Sequence, residues 1–286
     1  MNLYTRRTAV VSLGAALAAG LTAPADARDA DVRRPTGSSP LRRAHAHNDY
    51  EHPRPLLDAL DHGFGSVEAD VWLVDGRLLV AHEESGLDPA RTLEALYLDP
   101  LRRRIRANNG TVYRGHPLSL QLLIDVKSAG EATYRELSRV LHRYGDMLSV
   151  CRAGRVHGGP VTAVVSGDRA ARAPMEAERV RHAFYDGRIE DLGTAAPASF
   201  APLVSASWTE TFRWQGVGPM PGDERERLRR LVAAAHGERR RLRFWATPDT
   251  AGPAREAVWT ALLDAGVDHL NSDDLPGLEG FLRAAR

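Results

Sequence analysis

Residues 66–84, SVEADVWLVDGRLLVAHEE, read as a strand, a tight turn and a second strand. Val67, Ala69 and Val71 fall on one face of the first strand, and Glu68, Asp70 and Trp72 on the other. Asp75-Gly76, flanked by WLV and RLLV, is a two-residue hairpin signal that folds 78–82 back along 66–73. Gly65 and a helix-like segment come before the strand. That is the pattern of a strand in an α/β protein, where both sheet faces are covered. Two carboxylates on such a strand need a reason.

Working outward, strand-like and helix-like segments alternate to the end of the chain. Strands are expected at 42–46, 66–73, 78–82, 119–126, 161–166, 183–186, 203–207, 242–247 and 267–271. Helices are expected at 55–62, 90–106, 130–143, 170–181, 223–236, 253–265 and 275–285, with Pro55, Pro253 and Pro276 suited to first turns. With 78–82 set aside as a hairpin insertion after the second strand, eight strands remain, most followed by a helix. The fold class is therefore α/β, a single (β/α)8 TIM barrel over 41–286. An open doubly wound sheet is the rival, but neither a G-x-G-x-x-G after a first strand nor a G-x-x-x-x-G-K-[ST] is present.

The 286 residues are 43% hydrophobic and 26% charged, with a net charge of +1 that gives no reason to expect nucleic acid as a partner. Residues 1–27 read as an export signal: a basic start, an apolar run from Ala9 to about Leu21, and Ala25-Asp26-Ala27 before a cut at Arg28. Arg6-Arg7 just before the run points to the twin-arginine route. Residues 28–40 read as a polar linker. The expected location is thus the cell envelope or the exterior, as a monomer with at most peripheral membrane contact. Cys151, the single cysteine, reads as structural.

Residues capable of chemistry collect at strand ends, where a (β/α)8 barrel builds its site. His45 and His47 follow the first strand and Glu68 and Asp70 lie on the second. His82 ends the hairpin return, Asp125 and Lys127 close the next strand, and Trp245 and Asn271–Asp274 end the last two. Three ionised carboxylates, Glu68, Asp70 and Asp125, would repel one another in a partly dehydrated pocket. A divalent cation removes that conflict, and oxygen-only ligation favours Mg²⁺ or Ca²⁺. Pairing of each acid with its own arginine is the plainer alternative. His47 and His82, beside the acids, are candidates for an acid–base pair. Lys127 and a metal would offset charge growing on a phosphodiester. The segment 185–220 carries Trp208, Phe212 and Trp214, read either as pocket walls or as core.

The stretch HAHNDYEHPRPLLDALDHGFGSVEADVWLVDGRLLVAHEE resembles the glycerophosphodiester phosphodiesterase pattern of His, helix, Glu-x-Asp, hairpin, His. More widely, the chain looks like a member of the phosphatidylinositol-specific phospholipase C-like phosphodiesterase superfamily, whose skeleton the venom sphingomyelinases D share. AHNDY, LYLDPL, IDVKS and LNSDDL are most similar to its altered inheritance of mitochondria protein 6 branch. The resemblance implies His47 and His82 as acid and base, and Glu68, Asp70 and Asp125 around one Mg²⁺ or Ca²⁺. It also implies Lys127 on the phosphate and Trp245 lining the pocket. The expected substrate is a glycerophosphodiester or a phospholipid head group, yielding a cyclic phosphate or a hydrolysed product. The usual His-Arg-Gly is here His47-Asn48-Asp49, so Asn48 replaces an arginine and Arg54 or Lys127 is expected to compensate at the substrate. The third acid is Asp125 where Glu is common.

Two other readings compete. His45-x-His47 also opens the metal-dependent amidohydrolase barrels, but VTAVVSG, AFYDG and LVSAS lack the lysine and histidines those require, leaving only Asp273 as a match. A barrel that binds phosphorylated head groups without turnover is the second, against which stand two intact histidines.

Overall fold

Phe64–Val74 (β2) lies near the middle of a parallel sheet, and its first eight residues are buried, as a strand covered on both faces must be. The computed structural model describes residues 39–285, so the expected signal at 1–27 and nearly all of the 28–40 linker lie outside the described residues. The other strands are β1 (Leu41–Ala46), β3 (Arg77–Val80), β4 (Leu120–Val126), β5 (Val150–Arg152), β6 (Arg155–His157) and β7 (Val161–Gly167). They continue as β8 (Val180–Arg181), β9 (Ala183–Gly187), β10 (Leu203–Ser207), β11 (Arg241–Trp245) and β12 (Leu270–Ser272). Eight are parallel in the order β11-β10-β9-β7-β4-β2-β1-β12. A parallel bridge between Arg243 and His269 brings the two ends together, so the barrel is nearly closed. Helices α1 (Leu57–Asp61), α2 (Asp99–Ala107), α3 (Gly130–His142), α4 (Arg172–Ala177), α5 (Trp208–Thr211), α6 (Gly222–Gly237), α7 (Pro253–Ala265) and α8 (Leu275–Ala284) connect the strands.

β3 pairs antiparallel with the end of β2, Val71 opposite Val80 and Val74 opposite Arg77. Asp75 and Gly76 both take positive φ, 48° and 75°, as the expected two-residue turn requires. Gly65 meets a different need: a Cβ there would stand 2.7 Å from the Arg42 carbonyl oxygen of the neighbouring strand.

Apolar side chains form two clusters. The larger fills the shell between sheet and helices, and includes Val67, Ala69, Ile124, Val165, Leu242 and Trp259. The smaller contains Leu123, Val164, Phe184 and Leu203, opposite in parity to their shell-facing neighbours and so inside the barrel, together with Cys151. Cys151 belongs to a small antiparallel sheet of β6, β5 and β8, joined to the start of β7 through the Leu148–Val161 bridge. That sheet escaped the sequence reading. It also explains why the helix expected over 170–181 stops at Ala177: Val180 and Arg181 pair with Arg152 and Cys151. The expected 90–106 helix begins late, as a π turn at Glu94–Leu98 running into α2. Asp88 Oδ1 accepts the Ala90 N–H at 2.8 Å and Thr92 Oγ1 the Ala95 N–H at 3.1 Å, which hold the preceding residues in turns. Trp208 and Phe212 pack on Phe244 in the shell, with ring centroids 5.6 Å away for each, so they are core and not pocket walls. Trp214 is half-buried against them.

The loop leaving β1 is pinned by a buried acid. Asp49 Oδ2 accepts the Leu56 N–H at 2.6 Å and the Tyr97 hydroxyl at 2.9 Å, while Oδ1 is buried without a partner. Leu56 is held at φ 64°, a conformation bulky residues avoid. Burial pushes the Asp49 carboxyl up to about 7. The folded state therefore binds a proton that the unfolded chain releases near pH 4, so this residue's stabilisation is complete at low pH and disappears as pH rises towards about 7. Asp49→Asn mimics the neutral acid, and urea midpoints measured from pH 4.5 to 7.5 should decline less with pH in the variant than in the wild type.

Candidate active site

The strand parity that puts Val67 and Ala69 in the shell turns Ser66, Glu68 and Asp70 into the barrel. Asp70 is in register with Asp125 on β4, and Asp125 with Ser166 on β7. Lys127 Nζ lies 3.0 Å from Asp70 Oδ2 and 2.8 Å from Asp125 Oδ2, so one ammonium bridges two of the three acids. The third, Glu68, meets Arg243 Nη2 at 3.0 Å and His45 Nε2 at 3.1 Å through one oxygen, Oε2. Burial alone would raise the Glu68 carboxyl, but the Arg243 guanidinium and the His45 bond outweigh it and hold it well below the carboxylate range. Asp70 goes the other way: burial and then the nearby Glu68 charge push it up to about 6.

His45 uses both ring nitrogens inside the barrel, with Nδ1 2.7 Å from Ser66 Oγ. It is therefore occupied as a support for Glu68, which argues against a His45-x-His47 metal pair. Burial, then Arg243, lowers it to about 4, so it is neutral at physiological pH.

His47 lies just past β1, its N–H donating to the Ser272 carbonyl at 3.1 Å. Its Nδ1 donates to Asp273 Oδ1 at 2.7 Å, which leaves Nε2 available. Asn48 follows in the left-handed region, φ 47°, which asparagine tolerates, and its amide also donates to Asp273 at 3.3 Å. The hairpin carries His82 over Asp70: the Ala81 N–H donates to the Asp70 carbonyl, and the Trp72 indole N–H to the Ala81 carbonyl at 2.9 Å. His82 Nδ1 stands 3.2 Å from Asp70 Oδ2 and 3.0 Å from the Tyr50 oxygen. The Tyr50 hydroxyl donates to Asp70 Oδ2 at 2.6 Å and lies 2.8 Å from Asn48 Oδ1. Through Asn48 and Tyr50, then, the surroundings of one imidazole touch those of the other.

Of the other expected contacts, Trp245 is 37% exposed at the end of β11. Arg54 lies elsewhere: it pairs with Asp58 and Asp61, both at 2.7 Å, on the exposed side of α1. Sequence reasoning missed Arg243, Tyr50 and the role of Asp273 as a partner to His47. Period two along LRFW would have found Arg243, which shares the inward face with Trp245. Tyr50 carried no such signal, because it comes from an irregular turn.

Among the described residues, no group of three or more His, Cys, Asp or Glu side chains is arranged so that it could hold a metal ion as it stands. The donor chemistry nonetheless fits a hard dication. Asp70 Oδ1 is buried with no hydrogen-bond partner, Asp125 is beside it in register, and all three acids offer oxygen.

A parallel (β/α)8 barrel with acids and imidazoles at the carboxyl ends of its strands is an enzyme-type architecture. The AIM6-like phosphodiesterase domain matches residues 38–186, and the glycerophosphoryl diester phosphodiesterase family matches residues 241–276. Altered inheritance of mitochondria protein 6 of Eremothecium gossypii is 33% identical over 84% of this chain and 69% of its own length. The homolog from Arthroderma benhamiae is 30% identical over 83% of this chain and 82% of its own. The chain belongs to the AIM6-like phosphodiesterase family, and its function is of the phosphodiesterase type. A glycerophosphoryl diester phosphodiesterase from Parabacteroides distasonis shares the fold, with a TM-score of 0.51 and 13% identity over 87% of this chain and 88% of that one.

Arg243 is 3% exposed and also donates to Asn271 Oδ1 at 2.9 Å. Arg243→Met would leave Glu68 buried without its main counter-charge, a defect that costs about 3–5 kcal/mol. Urea denaturation should register that loss. A variant as stable as wild type would mean Glu68 does not depend on the pair.

Proposed function

We propose that this chain is an exported, metal-dependent phosphoric diester hydrolase in which His47 and His82 move the protons. The supporting observation is that each imidazole meets a carboxylate through Nδ1, His47 with Asp273 and His82 with Asp70, and that the His82 Nε2 has only the exposed Glu83 carboxylate 3.6 Å away. One takes the proton of the attacking hydroxyl, from water or from the substrate itself; the other gives a proton to the leaving alcohol oxygen. An internal hydroxyl yields a cyclic phosphate and water an open one. Asn48 and Tyr50 join the surroundings of the two rings in one network, which supports their serving one phosphorus.

Glu68, Asp70 and Asp125 would hold one Mg²⁺ or Ca²⁺, which when bound supplies positive charge against the phosphoryl oxygens. Lys127 is on the same side, its charge strengthened rather than lost: burial opposes it, but Asp125 and Asp70 outweigh burial and raise its pKa. Trp245 borders the opening, with Asn48 beside His47. The substrate class is a glycerophosphodiester or a phospholipid head group, reached by a monomer that touches membranes only peripherally. No helix among the described residues is long and apolar enough to cross a membrane. Export through the twin-arginine route rests on residues 1–27 alone, and amino-terminal sequencing of the secreted protein should begin at Arg28.

His47→Ala and His82→Ala should each reduce turnover by at least about a hundredfold in a folded protein. Full activity in either removes the two-histidine mechanism. A panel of glycerophosphodiesters and phospholipids, run with and without chelator, should show release that Mg²⁺ or Ca²⁺ restores. Release indifferent to chelator would eliminate the dication. Asp125→Asn should weaken metal binding measured by calorimetry.

The pH dependence follows from Asp273. Burial pulls His47 down, but the hydrogen bond to Asp273 and the Glu68 charge outweigh it and hold the imidazole above its ordinary value. Asp273→Asn removes a charge and weakens that bond, so the limb of the pH–rate profile that belongs to His47 should move to lower pH. The direction is the same whether His47 is acid or base, and an unmoved profile would separate Asp273 from the reaction.

A further inference from the structure

A phosphodiester is an anion, and most of the cations near the barrel mouth are already engaged. Lys127 is shared by two carboxylates, and Arg243 is buried between Glu68 and Asn271. Arg188 differs. It directly follows β9, whose carboxyl end belongs to the same barrel rim: Val165 on β7 is in register with Tyr185, which places Ser166 level with Asp186. Asp186 therefore continues the row formed by Asp70, Asp125 and Ser166 around the barrel.

Asp186 is completely buried and points inward, with Ser166, Ser205 and Arg243 as its other polar surroundings. Its Oδ2 accepts from Arg188 Nη1 at 3.2 Å. The same nitrogen donates to the Gly187 carbonyl at 3.3 Å. Arg188 Nε and Nη2 make no hydrogen bond among the described residues, and the side chain is 30% exposed. The backbone is anchored as well: the Arg188 N–H donates to Asp191 Oδ2 at 2.8 Å, and Asp191 is held by Arg169 at 3.2 Å and Arg172 at 2.8 Å. A partly exposed guanidinium fixed at one nitrogen, with its other donors unpaired, is prepared for paired hydrogen bonds to an oxyanion.

The geometry points to Arg188 as a binding residue for the anionic phosphate of the substrate, with Asp186 as the residue that positions it. This deepens the proposed reaction and rests on it for the identity of the substrate, but not for the presence of an anion site. Lysine would keep the charge and lose the fork. Asparagine at 186 would keep the shape and lose the tether.

Inorganic phosphate titrated into the full chain by calorimetry is the direct test. The wild type should bind it, Arg188→Ala should bind roughly 10- to 100-fold more weakly, and Arg188→Lys should fall between. Asp186→Asn should weaken binding less than Arg188→Ala, and the double variant should be no worse than Arg188→Ala alone, which a purely structural role would not produce. On a hydrolysed diester, Arg188→Ala should raise KM with kcat changed only a few-fold, and added guanidinium ion should restore part of the loss. Thermal melts identify a variant that fails to fold, in which case Arg188→Gln takes its place. Equal phosphate affinity in wild type and Arg188→Ala, or a wild type that binds no phosphate, overturns the inference. If phosphate binding depends on Arg188 but no diester is cleaved, the anion site stands and the reaction assigned above fails.

Discussion

Asp70 Oδ2 receives the Tyr50 hydroxyl, lies within 3.2 Å of His82 Nδ1 and pairs with Lys127, all on a residue that is almost completely buried. A buried carboxylate with that many partners fixes whatever surrounds it, because moving any one of them uncovers charge in a poorly solvated place. The hairpin return, the turn after β1 and the end of β4 are three separate pieces of chain, and they meet on this oxygen. Its other oxygen is buried with no hydrogen-bond partner. The acid is thus the mechanical centre of the site.

Charge compensation inside the barrel follows a pattern set by depth. Glu68 lies one layer below Asp70 and is neutralised by Arg243 and supported by a neutral His45. At the rim, Lys127 serves two acids at once, leaving that group of three with a net negative charge when all are ionised. The deep acid is compensated through one oxygen, Oε2, as desolvation demands, whereas the rim keeps an unmet need for positive charge. The dication proposed above would meet that need.

How much of this could be read from the chain alone depended on periodicity. Period two puts Glu68 and Asp70 on one face of a covered strand, and Asp75-Gly76 gives the hairpin because few residues accept two successive positive φ values. Lys127 and Asp125 followed from strand parity in the same way. Tyr50 did not, since it lies in an irregular turn whose course is set by the buried Asp49 and the left-handed Asn48 and Leu56. Trp208 and Phe212 were ambiguous because aromatic residues suit a pocket wall and a shell equally, and only packing against Phe244 decides. The small sheet around Cys151 was hidden for another reason: its strands of two or three residues are too short to show a period.

The sequence by itself determined the order of strands and helices, the inward faces and the set of acids and histidines, because each depends on local repeats and turn chemistry. Tertiary structure decided the partners. Asp273 lies 226 residues from His47 and Arg243 lies 175 from Glu68. Such pairs exist only once the last strands return beside the first and nearly close the barrel. No local rule encodes that closure, since it comes from the summed twist and stagger of eight strands.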